Sequence, residues 1–358
     1  MTWQFLSILT EARQRGASDV HLVRGLAPAL RIAGELQKLV GEVLDEATLN
    51  RFLDEFATPV QRELFNTDRE LCVSREYPGA GRVRGSVYQR SGCPEMAIRL
   101  SETSIRSCAE LRLPPIVEEL THRAGGLVLV TGPTGVGKTT TLNFMIDCIN
   151  RHRPLKIVTI EDPIEYVHQS VRSIVVQQEV VTDVASFGSA LIQVLRQDPD
   201  VIVIGEMRDL ETIQTALIAA ETGHLVLATL HTPDVVQTVQ RIYSVFPAEQ
   251  QNAIIVQLAN SLQGVVSQRL LPRANSAGQV LACEVCVTTP AVRTHIRERQ
   301  FHQLENEMQT GSKYQMQTID GSLLSLYQQG DISLETALLH ARNIDFVRRQ
   351  ASAKPASN

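Results

Sequence analysis

Residues 132–139 read GPTGVGKT and satisfy the spacing G-x-x-x-x-G-K-[ST]. An apolar run, LVLV at 127–130, precedes this stretch, and a helical pattern follows it. In that setting glycines let backbone N–H groups wrap phosphate oxygens, and the helix N-terminus adds a favourable dipole. Gly132, Pro133, Thr134, Gly135, Val136, Gly137, Lys138, Thr139 and Thr140 are therefore expected to form a phosphate cradle. Lys138 supplies a point charge to the β- and γ-phosphates, and the Thr139 hydroxyl suits Mg²⁺. The alternative is a Gly-rich turn with no ligand.

Phosphoryl chemistry also needs carboxylates for the metal and for the attacking water. Two clusters offer them after apolar runs, at the strand ends where open parallel sheets hold ligands. TIEDPIEYVH (159–168) contains Glu161, Asp162 and Glu165 on a predicted loop after a strand ended by Pro163. VIVIGEMRD (201–209) puts Gly205 where an aspartate commonly follows the apolar run, then Glu206. Asp162 and Glu165 have a second reading as solvated loop acids. His224 and His231 bracket the run LVLATL, and His231 follows its C-terminal end. It has two readings, a sensor of the γ-phosphate or a satisfied core histidine.

Positioning these groups requires a sheet. The runs at 127–130, 156–160, 201–204 and 225–230 are continuously apolar, as strands of a parallel sheet covered on both faces must be. Leu142, Met145, Ile146 and Ile149 form one helical stripe, and Ile213, Ala216, Leu217 and Ala220 form another. Residues 1–100 mix short alternating strands with helical patterns and predict a separate α+β domain. Pro114 and Pro115 break the pattern, so 101–115 is expected to be a hinge linker. The ATPase domain is expected over 116–345, mostly helical from 247 onward, with 346–358 a disordered tail.

With 43% apolar and 20% charged residues, the 358-residue chain has the balance of a globular protein. A net charge of −5 gives no general pull toward nucleic acid, and no direct nucleic-acid partner is expected. No apolar run reaches 18 residues, so none is expected to span a membrane. Six scattered cysteines predict reduced thiols in the cytoplasm. Cys283 and Cys286 form a lone C-x-x-C, which predicts small apolar residues in a strand and no zinc site.

Taken together, GASDVHL (16–22), RIAGEL (31–36), the 132–140 cradle, TIEDPIEYVH, VIVIGEMRDLET (201–212), AAETGHLVLATLHT (219–232), VFPAEQ (245–250), TPAVRTHIRE (289–298) and MQTG (308–311) carry a resemblance. They are similar to the motifs of the secretion-ATPase superfamily of type IV pili and type II secretion, most closely its pilus-retraction branch. The resemblance runs from about 16 to 345. It implies a PAS-like α+β N-terminal domain hinged to a RecA-like P-loop ATPase domain. It implies a homohexamer that hydrolyses ATP with Mg²⁺ at the cytoplasmic face of the inner membrane. An inner-membrane pilus platform protein and a paralogous motor are the implied partners. Glu206 is implied as the catalytic carboxylate, Glu165 as a helper toward metal or water, and His231 as a contact near the γ-phosphate. Glu161 and His224 fall inside motifs counted with nucleotide binding. Arg82, Arg84 and Arg99 match arginines that reach a nucleotide in such rings; their pattern alone also fits a solvated surface strand.

A long N-terminal extension and a tetracysteine zinc loop would mark assembly ATPases, and neither is read here, which favours the retraction branch. A nucleotide-gated scaffold with little turnover and a DNA-translocating motor are the alternatives from other classes.

Overall fold

The computed structural model describes residues 3–101, 104–275 and 278–352. Among these, the contacts divide into two compact units: residues up to Ser104 with Asp162–Val167, and Ile105–Glu161 with the chain from His168 onward.

In the first unit the alternating segments become β1 (Asp19–Leu22), β2 (Ala29–Ile32), β3 (Glu35–Lys38), β4 (Glu70–Tyr77), β5 (Gly81–Arg90) and β6 (Cys93–Leu100). They form one sheet in the order β3-β2-β1-β6-β5-β4, antiparallel throughout. The helix Phe5–Gln14 buries Phe5, Ile8, Leu9 and Ala12, the stripe its 3.6-residue period predicts. Helix Glu46–Phe56 starts at Asp45, whose side chain accepts from the Thr48 N–H. Helix Pro59–Asp68 starts with a reciprocal Thr58–Gln61 capping box and proline at its first turn. The core joins Phe5, Leu49, Phe52 and Phe56 to Val20, Val83, Met96 and Ile98 from the strands. Phe5 and Phe52 pack with ring centroids 5.4 Å apart. On β5 the buried Val83 alternates with Arg82 and Arg84, which share the other face.

In the second unit the four apolar runs become β7 (Gly126–Thr131), β8 (Lys156–Glu161), β10 (Val201–Ile204) and β11 (Leu225–Leu230), joined by β9 (Ile174–Glu179), β12 (Leu262–Pro272) and β13 (Gln279–Val287). The order is β13-β12-β7-β11-β10-β8-β9. All neighbours pair in parallel except the β12–β13 hairpin. Because β7, β8, β10 and β11 run the same way, their C-terminal ends open on one edge. Helices Lys138–His152 and Leu210–Glu221 are the predicted crossovers. Cys283 and Cys286 lie buried in β13, as small apolar strand residues.

Three expectations are amended. The region after 247 carries the expected helices but also β12 and β13, a long hairpin beside β7. β12 hides its apolar character because Gln268 is fully buried there and donates to Thr141 Oγ1 at 2.7 Å. A polar residue buried inside the core, here bonded through its amide nitrogen only, reads as surface in sequence. The expected linker 101–115 is also shorter: Ile105, Cys108 and Leu111 pack on the second core and Leu113 is buried in it. Ser107 and Glu110 cap a turn of helix within that stretch. Finally, the tail expected from 346 is helical through Ser352, because Val347 is fully buried with Leu271, Ile319 and Leu323. Positions 102 and 103 of the expected linker and the tail beyond Ser352 lie outside the described residues.

Removing a large ring from the first core should be costly. Phe52→Ala is expected to destabilise the chain by about 3–5 kcal/mol, against no more than about 0.5 kcal/mol for the exposed Val40→Ala. Chemical denaturation followed by circular dichroism checks the contrast.

Candidate functional site

β7 is buried along its whole length and delivers the chain to the 132–137 loop at the C-terminal edge of the sheet. Gly132 has φ +139, and a Cβ there would lie 2.4 Å from the Gln268 carbonyl oxygen of β12. Backbone crowding and left-handed geometry thus both demand glycine at the first position of the motif. Lys138 opens the next helix, and its Nζ donates to the carbonyls of Gly132 at 2.7 Å and Pro133 at 2.9 Å. Burial lowers the Lys138 ammonium from its ordinary value, and the negative charge of Glu206 opposes that effect.

The unusual Gly205 has a steric reason. Its N–H donates to the Ile160 carbonyl of β8 at 2.8 Å, and a Cβ would approach that oxygen to 3.2 Å and Glu161 Cα to 3.4 Å. A side chain at 205 would need β8 to give by a few tenths of an ångström, and the carboxylate stands one residue later, at Glu206. The Thr229 hydroxyl of β11 donates to the Gly205 carbonyl and fixes that turn.

Glu206 Oε1 accepts from His231 Nε2 at 2.8 Å and from Arg208 Nε at 2.6 Å. Burial acts to raise the Glu206 carboxyl, but the hydrogen bonds from Arg208 and His231 outweigh it and hold the group below the usual carboxylate range. Nδ1 of the same imidazole lies 3.3 Å from Lys138 Nζ and 3.4 Å from Thr134 Oγ1. A tautomer with its proton on Nε2 donates to Glu206 and accepts from Lys138, so one ring satisfies both. His231 is therefore a bridging group at the crevice and not a core histidine.

The remaining predicted residues divide. Glu161 is the last residue of β8, not a loop acid; it is buried and accepts from Thr159 Oγ1 at 2.6 Å and Gln177 Nε2 at 3.0 Å. It shares the C-terminal edge with the cradle but sits three strands from β7, roughly 14 Å away. His224 is not brought to the site: it precedes β11, at the opposite edge of the sheet, beside the Ala219 carbonyl at 3.0 Å. Having a histidine at each end of a strand means only one can face the crevice.

Within the first unit, Glu165 pairs with Arg84 at 3.3 Å, and Arg82 Nε donates to the Ile164 carbonyl at 2.7 Å. Arg99, opposite Arg84 in the β5–β6 register, pairs with Asp19 at 3.0 Å. Val136, Gly137 and Thr140 border a cavity of about 280 Å³ that Arg106, Arg112 and Leu270 also line. The motif reading missed Arg208, although it lies inside the quoted VIVIGEMRD; its role follows from reaching back two residues to Glu206. It also missed Arg106, Arg112 and Leu270, which no spacing rule connects to the cradle.

For a cation, the hydroxyl of Thr139 and the carboxylate of Glu206 offer hard oxygen donors, the kind Mg²⁺ takes.

His168, at the end of the TIEDPIEYVH stretch, is buried against Asn143 Oδ1 at 2.8 Å. Burial pulls its imidazole down to about 4, with Asp147 acting weakly the other way. The unfolded chain therefore binds a proton there that the folded chain does not between pH about 6.5 and 4. Stability should fall by roughly 3 kcal/mol as pH drops through that window. Denaturation midpoints measured across it should show a shallower slope in His168→Gln.

Residues 93–348 match the family described as type II/IV secretion system protein. The chain is 40% identical over 330 residues to the type IV pilus retractation ATPase PilT of Pseudomonas aeruginosa, covering 92% of this chain and 96% of that one. It is 36% identical over 345 residues to the type IV pilus ATPase PilU of the same organism, covering 96% and 90%. A solved structure of the pilus retraction motor PilT with bound ADP superposes with a TM-score of 0.91 at 42% identity, covering 97% of this chain and 99% of that one.

Proposed function

The chain belongs to the type II/IV secretion system protein family, and from that premise we propose that it is an ATP-hydrolysing motor that powers retraction of type IV pili. The observation that carries this reading is the continuous contact from Lys138 through His231 to Glu206 beside a phosphate cradle. A nucleotide-gated scaffold has no use for that arrangement.

In the proposed cycle, loop N–H groups and Lys138 hold the phosphates of ATP, and the base and sugar take the cavity beside Thr140. Mg²⁺, held by Thr139 and by the carboxylates, neutralises phosphate charge when bound. Glu206, kept ionised by its two donors, orients and deprotonates the attacking water. His231 keeps Glu206 aligned and carries changes at the γ-phosphate to it. Glu165 supports metal or water once its pairing with Arg84 opens. Arg82 and Arg84 supply positive charge to a nucleotide held by a neighbouring subunit of a homohexamer, with Arg99 beside them in register.

No helix among the described residues is long and apolar enough to cross a membrane, consistent with a motor recruited to the cytoplasmic face of the inner membrane by a platform protein. The similarity to both PilT and PilU makes a cooperating paralogue part of the proposal.

Turnover of purified protein tests the site. Glu206→Gln should retain ATP binding and lose Mg²⁺-dependent hydrolysis by about 10²–10⁴-fold, whereas Lys138→Ala should lose binding as well. Unchanged hydrolysis in Glu206→Gln would remove the catalytic assignment. Arg84→Ala should slow turnover by about 10³-fold or more with ATP affinity little changed. In a piliated strain, deletion should leave excess pili that do not retract; bald cells would instead indicate an assembly motor.

A further inference from the structure

Away from the nucleotide edge, three side chains of metal-binding type converge where helix Ile116–Leu120 meets helix Lys138–His152. Glu118, His122 and Cys148 each place one donor atom within 4.8 Å of the other two. The first pair is four residues apart, carried past the helix end by a tight turn in which the His122 N–H donates to the Glu119 carbonyl at 3.1 Å. Cys148 comes from the C-terminal third of the second helix and is buried, while His122 is exposed, giving an ion a route in. We propose that Glu118, His122 and Cys148 form a site for a thiophilic divalent cation of the zinc class, with water completing a tetrahedron.

The chemistry selects the ion. A thiolate with an imidazole and a carboxylate is a donor set for zinc, not for the hard cation of the phosphate site. Tetrahedral zinc with sulfur at about 2.3 Å and nitrogen or oxygen near 2.0–2.2 Å needs donor atoms roughly 3.3–3.7 Å apart. The present spread is within 4.8 Å, so the set closes by about an ångström through rotation of two side chains at the surface.

Thr121 braces it: its hydroxyl donates to the Glu118 carbonyl at 2.6 Å and lies 3.4 Å from Cys148 Sγ. His152 stands beside the set, its Nδ1 2.8 Å from the Cys148 carbonyl oxygen and 3.8 Å from Cys148 Sγ. Occupancy would tie the segment after Pro115 to the C-terminal part of the helix that begins with Lys138.

Cobalt(II) is the probe. The full chain, stripped with chelator and free of nucleotide, should bind one Co²⁺ with a thiolate charge-transfer band and the visible bands of a tetrahedral ion. Both should vanish in Cys148→Ser and persist in Cys72→Ser. Should Cys148→Ser fold poorly, His122→Ala at the surface should weaken Co²⁺ binding about tenfold or more while leaving ATP turnover unchanged. Zn²⁺ should raise the melting temperature of the parent but not of His122→Ala. Absence of the charge-transfer band, its survival in Cys148→Ser, or an equal Zn²⁺ response in His122→Ala would overturn the site. The cobalt bands and the melting temperature do not depend on the motor activity.

Discussion

An ammonium and a carboxylate share the mouth of the cradle without pairing directly, because an imidazole stands between them. A direct Lys138–Glu206 contact would tie up both charges and leave little for phosphate or water. With the ring interposed, Lys138 remains directed at the loop and Glu206 remains an anion supported by two donors. The separation depends on backbone placement: Lys138 follows β7, His231 follows β11, and Glu206 follows β10, three consecutive strands of the order. Parallel pairing sets the strands side by side with all three exits on one edge. A shift in strand order would break the bridge even with every residue retained.

The same edge explains the Gly205–Glu206 sequence. Close approach of β10 to the Ile160 carbonyl leaves little room for a side chain at the first position past the strand. The acid therefore moves one residue outward, into reach of His231 and Arg208. A stricter constraint acts at Gly132, where the Gln268 carbonyl of β12 crowds the loop from the other side and φ is positive. β12 thus helps shape the cradle, although it belongs to a hairpin far along the chain.

Much of the architecture was legible from pattern. The four apolar runs became the parallel strands, and the stripes led by Leu142 and Ile213 became the crossover helices. What escaped detection had polar residues buried with partners, as with Gln268 in β12, or a buried side chain in a sequence that looked like tail, as with Val347. Local composition reports how a residue behaves in water and not whether a distant hydroxyl or helix will satisfy it. His224 shows the converse error: its motif was read as one unit, while strand direction sends its two histidines to opposite edges.

By itself the sequence determined the chemistry available: a glycine loop ending in Lys138 and Thr139, acids after two apolar runs, and arginines alternating on one strand. Those features depend on residue type and short spacing, which a linear chain states directly. The tertiary structure decided which of them meet. Glu206 and His231 are joined through strand order, Glu165 is held by Arg84, and Glu118, His122 and Cys148 gather from two helices. Hydrogen bonds and ligand distances act over a few ångströms, and only folding brings residues tens of positions apart within that range.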